Sequence, residues 1–142
     1  MKTTSSSAVW QGNLAKGSGK IKLDISGFEV SYNAAWRFED SKGTNPEEFI
    51  AAAHAACYSM ALSHQLSQKG FIPREVRTEA TVLMDRNDKG FLISEIQLNT
   101  KADVPGLDEK RFLEMAEDAK VNCPVSKALS AVKISLQAKL VI

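Results

Sequence analysis

The sequence predicts an α+β domain in which antiparallel sheets pack around a buried central helix. Three observations carry that reading. Stretches with period-two alternation lie at both ends of the chain, a strongly apolar helical run from Phe49 to Leu62 lies between them, and the regular strand–helix–strand order of a doubly wound sheet is missing. At 142 residues the chain has the length of a single domain, residues 1–142, and such a chain buries about 70% of its unfolded surface.

Residues 1–7 hold one Lys and then small polar residues, which reads as a flexible tail without the apolar stretch of a secretory signal. Residues 8–14 form a first strand. Lys20–Ile25 alternates strictly as a second, Ser26-Gly27 turns the chain, and Phe28–Tyr32 returns as a third, giving a three-stranded antiparallel unit. Trp36 to Gly43 reads as a polar loop. At Asn45 a helix begins: Asn45 caps, Pro46 suits the first helical position, and Glu47 and Glu48 sit at the positive end of the dipole. It runs to about Lys69 and stops at Gly70. From Phe49 to Leu62, twelve of fourteen residues are apolar, His54 and Ser59 being the exceptions. A helix apolar on every side is buried on every side, which in so short a chain requires cover from sheets and from a second subunit.

Glu75–Met84 and Phe91–Val104 form a long hairpin around a turn at residues 85–90. Asp108 then caps an amphipathic helix with Phe112, Met115, Ala116 and Ala119 inward, ending near Val121. Cys123-Pro124 opens a short helix to about Ser130, and Val132–Ile142 closes the chain as a strand.

Lys and Arg number 18 against 17 Asp and Glu, a net charge of +1. That balance supplies neither the field that tracks phosphates nor a polybasic membrane patch, so neither nucleic acid nor membrane is an expected partner. No run of apolar residues is long enough to span a bilayer, and a cytoplasmic location is expected. Two cysteines are too few for a disulfide framework.

Cys57 lies in the apolar helix, where a free thiol commonly serves as a small core filler. Cys123 lies where a helix starts, and free N–H groups there favour a thiolate, so local physics alone selects Cys123 as the nucleophile. His54, three residues before Cys57, shares its helix face and offers a Cys–His pair or half a metal site. His64 follows seven residues after Cys57. Zinc needs four ligands, and no Cys-x-x-Cys or His-x-x-His pair is present, so no metal is expected. His54 reads most simply as a buried, hydrogen-bonded histidine. Cys123-Pro124-Val125-Ser126 echoes the C-x-x-S of monothiol redox proteins but does not follow a strand in a βαβ unit.

The run Arg37-Phe38-Glu39, then Gly43-Thr44-Asn45-Pro46-Glu47-Glu48, then Ala52 through Leu62 around Cys57, together with Asn122-Cys123-Pro124-Val125-Ser126, resembles the OsmC/Ohr family of peroxidases. The likeness covers essentially the whole chain, including Trp10-Gln11-Gly12. Lys16-Gly17-Ser18-Gly19-Lys20 lacks the Arg of the Ohr branch, and Arg37 matches the position of the OsmC branch. The resemblance implies an OsmC-like fold in an intertwined homodimer with active sites at the interface. It also implies that Cys57 attacks an organic hydroperoxide to give a sulfenic acid, that Cys123 resolves it to a disulfide, and that an external dithiol, lipoyl or other, reduces the pair without a bound cofactor. Arg37 would stabilise the thiolate and Glu47 would hold Arg37.

Physics adds a constraint to that assignment. A buried thiol in mid-helix gains little from the dipole and is raised by burial, so Cys57 needs a cation. Ten helical residues rise about 15 Å from Glu47 to Cys57, too far for one guanidinium. Either the helix breaks between Phe49 and Ala56, or another subunit supplies part of the site. Phe38, Phe49 and Met60 are candidate walls of an apolar substrate site. Two other function classes remain at this stage: a non-enzymatic stress or redox-sensing protein binding a hydrophobic ligand at its interface, and a hydrolase using Cys57 and His54.

Overall fold

A computed structural model describes residues 1–40 and 42–141, which divide into two compact units, Met1–Phe49 and Ile50–Ile142. Ser41, in the expected loop, and Ile142, at the expected end of the last strand, lie outside the described residues.

The first unit carries strands β1 (Ser6–Gln11), β2 (Ser18–Leu23) and β3 (Glu29–Tyr32) as an antiparallel sheet in that order. β1 takes in Ser6 and Ser7 from the segment read as a tail. In the register, Gly19 faces Trp10 on one neighbour and Tyr32 on the other. A Cβ there would lie 2.5 Å from the Tyr32 ring and 2.8 Å from that of Trp10, so glycine is what lets the rings approach to 5.4 Å between centroids. The turn after β2 uses Gly27 at φ 76°, a left-handed conformation that costs glycine nothing.

The polar loop expected at Trp36–Gly43 instead begins with a helix, α1 (Ala34–Phe38). Asn33 caps it, its Oδ1 accepting from the Trp36 N–H at 2.9 Å. A five-residue helix has no room for periodicity, so only its cap is visible in the sequence.

Helix α2 (Pro46–Gln68) starts where expected, with Asn45 Oδ1 accepting from the Glu48 N–H at 2.9 Å, and ends before Gly70 at φ 87°. It is unbroken, so the break posed as one way of bringing Glu47 to Cys57 is not present. Its own chain does not bury it on every side. His54, Tyr58, Leu62 and Leu66, each at 0% exposure, form one i, i+4 stripe, while Ala52, Ala53, Ala56 and Met60 are exposed. Within one chain the helix buries a single face, and its apolar residues continue onto the open one.

The second unit adds β4 (Glu75–Asn87) and β5 (Gly90–Asp103), a hairpin with a bulge at Leu83/Met84. Its strands run further than expected: Asn87 pairs with Gly90, leaving Asp88-Lys89 as a two-residue turn in place of the turn at 85–90. Asn87 Oδ1 accepts from the Lys89 N–H, and Gly90 takes φ 117°. Helix α3 (Glu109–Asn122), capped by Asp108, buries Phe112, Met115, Ala116 and Ala119, the four residues read as inward-facing. Helix α4 (Pro124–Ala128) follows, and then β6 (Lys133–Leu140).

β6 pairs with β5 in parallel, against the expectation of wholly antiparallel sheets. The reason is the connection: α3 and α4 carry the chain back along the sheet, and a helical crossover of that length is what a parallel pair requires. The core of this unit joins Tyr58, Leu62 and Leu66 to Ile96, Leu98, Phe112 and Ala116. Replacing Phe112, fully buried, by Ala should cost about 3–5 kcal/mol of unfolding free energy in urea titration.

Candidate active site

The Gly43-Thr44-Asn45-Pro46 motif positions a first group of candidate residues, within the first unit. Gly43 lies directly against the Trp36 indole, where a Cβ would collide with the ring. Asn45 both caps α2 and donates through Nδ2 to the Trp36 carbonyl at 3.1 Å. Trp36 is thereby pinned to the start of α2, and the next residue, Arg37, meets Glu47 in the first turn of that helix. The guanidinium donates from Nη2 to Glu47 Oε1 at 2.7 Å and from Nε to the same oxygen at 3.1 Å. Glu47 is buried at 8% exposure and Arg37 is the more accessible partner, which leaves guanidinium surface for a further ligand. Phe38 lies beneath the cation at 5.4 Å. Beside Arg37 is a cleft of about 230 Å³ walled by Trp10, Leu14, Tyr32 and Phe38. Phe49 lines another cleft of the first unit, with Ile21, Leu23 and Tyr32, and Met60 one of the second, with His64 and Val76.

A second group lies in the second unit, on α2 and at the α3–α4 junction. Cys57 and Cys123, 66 positions apart, approach to 2.9 Å between Sγ atoms, both as free thiols. Two flanking bonds hold α2 here: Tyr58 donates to the Ala116 carbonyl at 3.0 Å, and His54 Nε2 lies 2.8 Å from Ser126 Oγ. Cys123 occupies the N-cap of α4, its sulfur accepting from the Ser126 N–H at 3.5 Å.

The sulfurs differ electrostatically. Burial pushes the Cys57 thiol up, and its hydrogen bond to Cys123 pushes it further, with the Val125 backbone pulling weakly the other way. Burial also raises Cys123, but hydrogen bonds from Cys57, from the Ser126 backbone and side chain and from the Val125 backbone outweigh it and bring that thiol below its ordinary range. Within this unit Cys123 is therefore the stronger acid of the two thiols and Cys57 the weaker, the order the helix-start argument expected.

His54 is fully buried and bonded to Ser126, which corrects the idea of a Cys57–His54 nucleophile pair; its Nδ1 has no partner among the described residues. Among the described residues no cluster of three or more His, Cys, Asp or Glu side chains is placed to hold a metal ion. None of the described helices is long and apolar enough to cross a membrane. The sequence reading named both cysteines, Arg37 and Glu47 but left Ser126 as a motif echo.

A family profile described as OsmC-like protein matches residues 39–137, well over half of the chain. The chain belongs to the OsmC family. It is 44% identical over 125 residues to peroxiredoxin OsmC of Escherichia coli strain K12, covering 87% of each chain. Against the organic hydroperoxide resistance protein OhrB of Bacillus subtilis strain 168 it is 34% identical over 119 residues, 82% of this chain and 80% of that one. The OhrB crystal structure superposes with a TM-score of 0.71 at 25% identity, covering 96% of this chain and 98% of that one. An OsmC-like protein from Mycoplasma pneumoniae shares the fold at 0.76 with 22% identity over 99% of each chain. An α+β OsmC fold is thus established for the chain, with one parallel strand pair in its second sheet.

Burial keeps His54 neutral in the folded state by lowering its pKa below 6.5. The unfolded chain takes up a proton near pH 6.5 that the folded one resists, so stability falls as pH drops through that value. Thermal unfolding between pH 7.5 and 5.5 should show this loss, at most about 1.4 kcal/mol per pH unit, and His54→Gln should flatten it.

Proposed function

We propose that this OsmC-family protein is a thiol-dependent peroxidase that reduces organic hydroperoxides to alcohols in oxidative and osmotic stress defence in the cytoplasm. The observation that carries the reading is the 2.9 Å approach of Cys57 and Cys123. The relatives' names, peroxiredoxin OsmC and organic hydroperoxide resistance protein, support the same activity.

In this reading the Cys57 thiolate attacks the distal oxygen of the hydroperoxide. The O–O bond breaks, Cys57 becomes a sulfenic acid, and the alkoxide leaves as the alcohol after taking a proton. Cys123 thiolate then attacks the Cys57 sulfur: the S–S bond forms, the S–O bond breaks, and hydroxide leaves as water. An external dithiol, lipoyl or another small thiol system, returns both thiols by two exchanges, and no bound cofactor takes part.

Cys57 can be the first nucleophile only if a cation reverses the order of the two thiols. Arg37 is the cation, held by Glu47. Ten residues of unbroken helix rise about 15 Å, so a second subunit supplies the Arg37–Glu47 pair to each thiol pair in a homodimer. The open apolar face of α2, with Met60 at 74% exposure, supports such an interface. The apolar cleft beside Arg37 suits the organic part of the peroxide.

Cumene hydroperoxide consumption coupled to dithiothreitol or dihydrolipoamide should show turnover that Cys57→Ser abolishes, and dimedone should label Cys57 in Cys123→Ser. Turnover retained in Cys57→Ser, with no label at Cys57 in the Cys123→Ser variant, overturns the assignment. Stoichiometric oxidation without turnover would instead favour a ligand-binding, redox-sensing protein. Arg37→Ala should lower kcat/KM about 10²–10³-fold, as removal of one preorganised donor does, with Lys a poor substitute. Mixing Cys57→Ser and Arg37→Ala chains through unfolding and refolding should restore about a quarter of wild-type activity if each site draws on both subunits of a symmetric dimer. No recovery would place all four residues of a site on one chain.

A further inference from the structure

The second unit buries a polar pair that the two-thiol chemistry above leaves unused. His54 and Ser126 come from α2 and α4, and both are buried, His54 at 0% and Ser126 at 6% exposure. Their 2.8 Å bond is the only hydrogen bond of the His54 ring among the described residues, because Nδ1 has no partner. That asymmetry decides the tautomer. A protonated Nδ1 would bury an unpaired N–H donor, whereas a bare Nδ1 leaves only an idle lone pair, the less costly defect. The proton is therefore on Nε2, and His54 donates to Ser126 Oγ. The Ser126 hydroxyl, with an acceptor site filled, turns its own hydrogen elsewhere, and the Ser126 backbone N–H brings the residue to the Cys123 sulfur at 3.5 Å, where its side chain favours the charged form of that sulfur.

We propose that His54 and Ser126 are positioning residues for the resolving step, the His54 Nε2–H fixing the Ser126 hydroxyl so that it donates to Cys123 and holds that sulfur as a thiolate aimed at Cys57. The inference deepens the peroxidase reading and rests on it. Neither residue touches the peroxide; each acts through Cys123. A neutral imidazole suits the task, because it orients the serine without adding a charge that would change with pH near neutrality. When Cys123 attacks the Cys57 sulfenic acid, the sulfur gives its electron pair to the new S–S bond and hydroxide leaves with the S–O pair. The Ser126 hydrogen stays on its own oxygen throughout, and a solvent proton completes the water.

Cys57 and Tyr58 on α2 interact with Cys123, and Tyr58 in turn feels Glu117 on α3, which pairs with Lys120. A comparison that changes only Ser126 or His54 leaves all of them in place. In a Cys57→Ser background, thiolate absorbance at 240 nm reports Cys123 alone. Ser126→Ala should raise that titration by about one pKa unit, the scale of one hydrogen bond to a charged atom. His54→Leu should raise it similarly, and His54→Gln, which keeps a donor, should recover most of the shift.

In the two-cysteine protein, stopped-flow mixing with one equivalent of cumene hydroperoxide separates sulfenic acid formation from disulfide closure. Below its pKa a one-unit rise removes about tenfold of the Cys123 thiolate and returns about threefold in nucleophilicity, so closure relative to sulfenic acid formation should slow about threefold. An unshifted titration in both Ser126→Ala and His54→Leu, with closure at the wild-type ratio, would overturn the proposal. Absence of a sulfenic acid in the wild-type protein would defeat the peroxidase reading instead, and the peroxide-free titration would still decide whether His54 and Ser126 set the thiolate at Cys123.

Discussion

The approach of two sulfurs to 2.9 Å is the constraint on which the second unit is built. Cys57 lies inside a long helix and Cys123 lies between two others, so their meeting fixes the position of α2 along its axis against the α3–α4 junction. Two hydrogen bonds enforce it on either side of Cys57, His54 to Ser126 and Tyr58 to the Ala116 carbonyl. A third set of hydroxyls anchors the same helix to the sheet: Ser59 donates to Thr78, which lies 2.9 Å from the fully buried Thr100. Apolar packing is non-directional and tolerates sliding; these directional bonds do not. The polar residues of an otherwise apolar helix are thus its register marks.

Much of this could be read in advance, for identifiable reasons. Asn45-Pro46 and Asp108 announced two helix starts because capping is a local interaction, complete within four residues. The inward set of α3 followed from periodicity alone. Arg37, Glu47 and the two cysteines came from a family resemblance, since nothing in their spacing says which of them meet. What the sequence hid was mostly non-local. β6 has the alternation of any half-buried strand, and only the return of the chain through α3 and α4 makes its pairing parallel. α1 is too short for the helical period to repeat within it. How much of α2 its own chain covers was not legible, because composition counts apolar residues without saying which of them the same chain buries.

The two pairs of polar side chains differ in their electrostatics. Arg37 and Glu47 form a charged pair with one member buried and the other partly open, so the carboxylate orients the guanidinium without hiding it. The thiols sit where burial opposes charge, and only the converging hydrogen bonds at Cys123 overcome that opposition. An unaided Cys57 is the weaker acid. The first unit thus holds a persistent positive charge, and the second holds a sulfur that lacks one.

The capping role of Cys123 has a redox consequence. A thiolate is a good acceptor for the Ser126 N–H that begins α4; a sulfur bound into a disulfide carries no charge and accepts poorly. Oxidation therefore weakens the start of a helix only five residues long, too short to hold itself by its own backbone bonds. In the proposed cycle the oxidation state of the sulfurs would thereby be coupled to the firmness of the segment that Cys123 caps: tight when reduced, and loosened at the stage when a Cys57–Cys123 bond would admit an outside thiol.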